Sequence, residues 1–278
     1  MASTSSHDGK SIADAVVPSA ITLSPSSDMV VPLATTVSPS THVVAPSTTT
    51  LPPSVKEEII KKRIGKTVAV EGNIGSGKTT FLNYFQKYKN VEVLAEPVAK
   101  WRNVMGYNAL DLLYTDTERW SCAFEFLVTL SLLENHQALQ DHAGLKMMER
   151  SIYSTRHCFM EHLIKNGQIQ ALDQLILSEW HEWVDQHEDI SLDLIVYLRA
   201  SPEVCADRMK LRNRSEEADI PMDYLRALHQ LHDDWLLHDK RGQLPAHVLV
   251  LDADKDLVEL QKEIDNLTQD IFCGLDIR

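Results

Sequence analysis

Between Gly72 and Thr79 the chain reads G-x-x-x-x-G-K-T, directly after the strand-like run Thr67–Glu71 and ahead of a helix-like one. That context is the one in which a glycine-rich loop wraps phosphate. Glycines let the backbone turn so that several N–H groups aim at anionic oxygens. The helix that follows adds the positive end of its dipole. Lys78 is placed to put a point charge on the β- and γ-phosphates, and the Thr79 hydroxyl is a ligand for Mg²⁺. The loop residues expected to hold a nucleoside triphosphate are Gly72, Asn73, Ile74, Gly75, Ser76, Gly77, Lys78, Thr79 and Thr80. The loop does not name the acceptor of the phosphate.

Further groups that could do chemistry follow the next strand-like runs. Val91–Ala95 ends at Glu96-Pro97. A carboxylate at that tip is either an exposed turn residue or a general base for an acceptor hydroxyl. Pro97 favours an extended Glu96. Leu145–Met148 ends in Glu149-Arg150. These form either a solvated ion pair or, in a phosphotransferase, a Mg²⁺ ligand and a cation that neutralises the phosphoryl group in flight. After Asp193–Leu198 come Arg208, Lys210, Arg212 and Arg214. Such a run is often a solubilising helix. In an acidic chain with a phosphate loop it reads better as a lid that closes over phosphates.

Positioning these groups requires a sheet. Five short apolar runs, ending with His247–Leu251, alternate with helical patterns over 79–88, 119–141, 152–165, 171–186, 202–212, 221–239 and 257–271. The alternation, with the phosphate loop after its first strand, predicts an α/β P-loop fold: a five-stranded parallel, doubly wound sheet flanked by helices, with the Arg-rich lid after its fourth strand. In such sheets ligands bind at the carboxyl ends of the strands, where all the candidates above fall. Within 119–141, the spacing of Leu130, Leu133, Gln137 and Ala138 predicts a buried stripe.

Composition sets the bounds. The chain has 278 residues, 44% apolar and 24% charged, with a formal net charge of −13. That acidity argues against a nucleic-acid polymer as partner. Cys122, Cys158, Cys205 and Cys273 are widely spaced and read as buried thiols rather than a zinc site or disulfide framework. No apolar run approaches the ~20 residues of a membrane span. Residues 1–55 are rich in Ser, Thr, Pro, Ala and Val, without aromatics or Arg. They are expected to be a disordered segment ahead of a kinase domain at 56–278. The lack of Arg and the presence of Asp8, Asp14 and Asp28 argue for a cytoplasmic enzyme over one with a mitochondrial presequence.

Six segments in order resemble the deoxynucleoside kinase family, specifically its insect-type and mitochondrial thymidine kinase-like branch. They are EGNIGSGKTT (71–80), EPVAKWRNV (96–104), MERSIYSTRHCF (148–159), DLIVYLRASPEV (193–204), DRMKLRNRSEE (207–217) and LHQLHDDWL (228–236). The resemblance implies transfer of phosphate from ATP, with Mg²⁺, to the 5′-hydroxyl of a deoxynucleoside. It implies Glu96 as the base, Arg150 and Lys78 as catalytic cations, and Thr79 with Glu149 on the metal. It implies Arg212 and Arg214 as lid residues and Tyr114 with Glu217 on the sugar 3′-hydroxyl. Trp101, Val128, Leu132 and Phe159 would wall the base pocket, and a homodimer is implied. Alternatives are a nucleoside monophosphate kinase, which Glu96 argues against, and a catalytically silent nucleotide-binding homologue.

Two positions depart from the family pattern. Glu125 in Trp120-Ser-Cys-Ala-Phe-Glu125 stands where the family has the Gln that reads the base edge, and Thr155 stands where the pyrimidine-preferring branch usually has Ala. An amide offers a donor and an acceptor, an ionised carboxylate only acceptors. Three readings follow: a protonated Glu125 that imitates Gln, a shift toward guanine, whose N1–H and N2 amine are adjacent donors, or a pocket that has lost nucleosides.

Overall fold

The computed structural model describes residues 65–138, 140, 143–240 and 244–277. The N-terminal segment 1–55 and the boundary expected after it lie outside the described residues. Five strands, β1 (Lys66–Glu71), β2 (Val91–Leu94), β3 (Leu145–Glu149), β4 (Leu194–Arg199) and β5 (His247–Asp252), form one sheet in the order β2-β3-β1-β4-β5. Every pairing is parallel. The predicted doubly wound sheet is therefore present, with each strand within a residue or so of its expected bounds.

Helices cover both faces. They are α1 (Lys78–Phe85), α2 (Val98–Arg102), α3 (Ala109–Thr115), α4 (Thr117–Gln137), the helical run 152–165 (α5), α6 (Ala171–His187), α7 (Pro202–Arg212), α8 (Met222–Leu236) and α9 (Leu257–Ile271). β1 and β3 are buried almost throughout, because helices shield both faces of a parallel sheet. One core packs Phe81 and Phe85 of α1 with Ile264 and Ile271 of α9 against Val68, Val70, Val196 and Leu198. A second, on the opposite face, packs Leu228, Leu231 and Trp235 of α8 against Ala69, Ile195 and Tyr197.

Side chains that accept backbone N–H groups fix where four of the nine described helices begin. Asn108 caps α3, Asp116 caps α4, Ser201 caps α7 ahead of Pro202, and Asp256 caps α9. α1 differs. Its N-cap is Gly77, with φ +100° and no side-chain cap. The first N–H groups of α1 are thus left for a ligand.

Three sequence expectations need correction. The α4 stripe is misplaced: Leu130 and Gln137 are exposed, and the buried face runs through Ser121, Phe124, Glu125, Val128, Leu132 and His136. Leu133 is buried as expected, against Ile152 and Val184. α2 and α3 were not expected, because neither is long enough to show a period. Finally, α5 is α-helical over Ile152–Ser154, π-helical over Thr155–Met160 and α-helical again over Glu161–Lys165.

Candidate active site

The phosphate loop is built on backbone that only glycine tolerates. Gly72, Gly75 and Gly77 all have positive φ. A Cβ on Gly72 would lie 2.6 Å from the Leu198 carbonyl oxygen, and one on Gly75 2.5 Å from that of Cys205. Asn73 pins the loop by donating to Leu225 O at 2.8 Å and accepting from Ile74 N at 2.8 Å. Lys78 is buried and donates to Gly72 O at 3.1 Å and Asn73 O at 2.7 Å. Burial, then the nearby Arg150 charge, brings its amine down to about 8, against the opposite pull of Glu149, Glu96 and Glu71. The cradle, the lysine and the free α1 N-terminus fit a polyphosphate.

Arg150 sits at the tip of β3 with φ +66°, a conformation that costs a non-glycine residue energy and is held by its surroundings. Its N–H continues the ladder to Val70 O at 3.0 Å. The guanidinium donates to Glu96 Oε1 at 2.7 Å and Gly72 O at 2.9 Å, and lies 4.6 Å over the Phe159 ring. Burial alone would lower its pKa. Glu96, Glu71 and Glu149 outweigh that and hold it above the usual arginine value. Glu71 lies beneath, fully buried and bonded by Ser151 Oγ at 2.6 Å, with its carboxyl raised by burial against the pull of Arg150.

Thr79 Oγ1 donates to both oxygens of Glu149, at 2.9 and 3.1 Å. A hydroxyl beside a carboxylate next to the phosphate cradle is a hard-oxygen pair suited to Mg²⁺. Among the described residues no cluster of three or more His, Cys, Asp or Glu could by itself hold a metal.

The residues expected to form a lid lie on α7 and the turn after it. Asn213, at φ +51°, ends α7, and the 3₁₀ turn Ser215–Glu217 follows. Glu217 pairs with both Arg212 and Arg214. Arg208 donates to Ser76 O at 3.2 Å. Arg102 of α2 pairs with Glu216 at 2.7 Å, which ties the lid turn to the opposite wall.

Two cavities share this machinery. One is lined at its charged end by Lys78, Glu96, Glu149, Arg150, Arg212, Arg214 and Glu217, and runs between Trp101, Val128, Thr155 and Phe159 to Glu125. Tyr114 lines the same cavity, and burial and the Glu217 charge push its phenol well up. The other cavity is lined by Ser76, Gly77, Thr79, Thr80, Arg208 and Lys255. Gly75, Lys78, Glu149 and Arg212 line both. A donor in the second cavity and an acceptor in the first would meet at those four residues.

Nearly all the residues singled out in the sequence thus converge. Leu132 and Lys210 do not: Leu132 is buried behind the cavity, packed with Trp101 and Val128, and Lys210 is exposed and pairs with Asp207 instead. Sequence reasoning missed Leu110 and Leu113 of α3, Leu163 of α5 and Tyr224 of α8, all of which line the acceptor cavity. The π-helical turn was also missed. Thr155 and Phe159 of that turn line the cavity, while His157 packs behind it on Trp235.

A deoxynucleoside kinase family model matches residues 68–273. The chain is 46% identical over 199 residues to human mitochondrial thymidine kinase 2, covering 72% of this chain and 74% of that protein. It is 35% identical to human deoxycytidine kinase, covering 71% of this chain and 90% of that one. It is 32% identical to a probable deoxycytidine kinase of fowlpox virus, covering 74% and 87%.

Proposed function

The chain belongs to the deoxynucleoside kinase family, a phosphotransferase with ATP as donor and a deoxynucleoside as acceptor, and we propose that the 5′-hydroxyl is phosphorylated in the Glu96 cavity. This membership sets aside the monophosphate kinase, and the assay below decides for or against the silent homologue. The observation that carries the site assignment is the wall common to both cavities, Gly75, Lys78, Glu149 and Arg212.

Glu96 keeps Oε1 on Arg150 Nε. Its second oxygen takes the proton from the 5′-hydroxyl as that oxygen attacks the terminal phosphorus. The bond from phosphorus to the bridging oxygen of the donor breaks, and its electron pair leaves on the nucleoside diphosphate. Arg150 and Lys78 offset charge spread over the transferring group. Thr79 and Glu149 would hold Mg²⁺, which when bound neutralises phosphate charge and orients the polyphosphate. Tyr114 and Glu217 face the sugar, and Trp101, Val128 and Phe159 enclose the base. Arg212 and Arg214 are positioned to swing from Glu217 to phosphate as the lid closes.

Leu172, Leu175, Ile176 and Trp183 expose one face of α6, with Leu130 of α4 exposed as well. They support a homodimer through these helices, which sedimentation of wild type against Trp183→Glu tests. No described helix is long and apolar enough to cross a membrane. Asp8, Asp14, Asp28 and the lack of Arg in 1–55 support a cytoplasmic location over the mitochondrial one in the relatives' name. Mitochondrial import of a fluorescent protein fused after residues 1–55 would overturn that. For the activity, the purified chain is assayed with ATP and each of the four common deoxynucleosides. Phosphorylation of at least one supports the reading, and none sinks it.

A further inference from the structure

Glu125 is 2% exposed and lines the acceptor cavity, and its Oε2 has no hydrogen-bond partner. Among the described residues it makes no ion pair. Trp101, Val128, Phe159 and Leu163 make its surroundings apolar. An unpaired carboxylate buried so deeply is costly, so the group stays neutral instead. A neutral carboxyl offers one O–H donor and one C=O acceptor side by side, whereas the ion offers two acceptors.

We propose that Glu125 selects the nucleobase through its protonation state: the neutral acid reads a donor–acceptor edge, as in cytosine, and the carboxylate reads the paired donors of guanine. The inference rests on the acceptor-site reading above. Cytosine pairs its N3 acceptor with the acid O–H and its N4 amine with the C=O. Guanine N1–H and N2 amine both donate, and both oxygens of an ionised Glu125 accept them. The same side chain therefore prefers different bases on either side of its titration.

Burial alone brings the Glu125 carboxyl up to about 8, with no charge contributing. Lys78, at the phosphate end of the same cavity, is brought down to about 8 by burial and titrates over the same range, whereas burial moves the neighbouring thiol, phenols and imidazoles away from neutral pH. On α4 itself, the Cys122 thiol is raised by burial, Asp173 and Glu125. Tyr224 of α8 and Tyr114 of α3 are both pushed up by burial. On α6, packed against α4, burial brings His181 down to about 4. On α5, burial lowers His162, which packs on Tyr224. The remaining charges lining the cavity, Glu96, Glu149, Arg150, Glu217 and the lid arginines, pair with one another or with Thr79 at the phosphate end.

The test is kcat/KM for deoxycytidine and for deoxyguanosine from about pH 6 to about pH 9, for wild type and Glu125→Gln. The two substrates share Lys78, Glu96 and Arg150, so titration of the phosphate end cancels in their ratio. In wild type the deoxyguanosine-to-deoxycytidine ratio is expected to rise at least about tenfold through pH 8, because ionisation removes the donor that cytosine N3 needs and leaves two acceptors for guanine N1–H and the N2 amine. In Glu125→Gln it is expected to stay flat and favour deoxycytidine. An infrared carboxylic-acid C=O band present in wild type at neutral pH and lost in the variant supports the proposal independently. A flat wild-type ratio overturns the proposal alone. Failure of both proteins to phosphorylate any deoxynucleoside overturns the site reading and the proposal together.

Discussion

At the phosphate end of the acceptor cavity Glu96 is bonded to Arg150, Glu149 to Thr79, Lys78 to the loop carbonyls and Glu217 to two arginines. At the base end Glu125 Oε2 is bonded to nothing. Apart from the Glu217 pairs, which exchange as the lid closes, the charges of the first region satisfy each other before substrate arrives, and Arg150 stands in a left-handed conformation. Preorganised charge of this kind acts on the transition state, where it needs no rearrangement. The second region is apolar with one unmet polar atom, so its energy changes with what binds. The division predicts that changes at the phosphate end lower kcat for every base alike, and changes at the base end alter KM and the ranking of bases.

The sharpest way to break that division is Lys78→Met. It removes a cation at the point where the two cavities meet, and kcat should fall about 10³-fold or more for all acceptors. Unequal losses among the bases would show that the two ends are not separate. Glu96→Gln keeps the shape and the hydrogen bond from Arg150 but cannot take a proton. Rapid-quench measurement of the chemical step should show a loss of ~10²–10⁴-fold. An unchanged rate would remove Glu96 from catalysis.

Phe159→Ala tests the base end. Loss of stacking should raise nucleoside KM by about tenfold or more while kcat changes less, since a base stack is worth ~1–3 kcal/mol. Because Phe159 also lies under Arg150, a large fall in kcat would show coupling between the ends. The last effect is read in stability rather than in turnover. Glu125 titrates at about 8 when folded and near 4.5 otherwise. Between those values the folded state keeps a proton that the unfolded chain gives up, so stability falls as pH rises, by about 1.4 kcal/mol per pH unit, and levels off above the folded value. Glu125→Gln lacks that slope. Its melting temperature should gain on wild type from pH 6 to pH 8, and parallel curves would mean that Glu125 is not a buried neutral acid.

Legibility followed the same division. Gly72 to Thr79, Glu96 and Glu149-Arg150 were legible because each follows a strand, and a parallel sheet delivers strand tips to one crevice. The α4 stripe was misread because Leu130 and Gln137 fit a helical period as well as the true face does. Hydrophobicity did not separate them: exposed Leu130 is apolar, whereas buried Glu125 is charged in sequence. Tyr224 and Leu163 carried no local signal, since only packing of α8 and α5 across α4 makes them cavity walls. Leu132 had the right helix but the wrong turn of it.

By itself, the sequence determined that this chain holds a polyphosphate on a parallel α/β sheet, because glycine spacing and strand-tip polar groups are local constraints with few other solutions. Only the tertiary structure decided where the base would lie and what Glu125 is. A carboxyl's protonation depends on the dielectric and charges that distant elements bring to it. Here α2, α3, α5 and α8 bring apolar walls and phenols, and among the described residues no cation pairs with it.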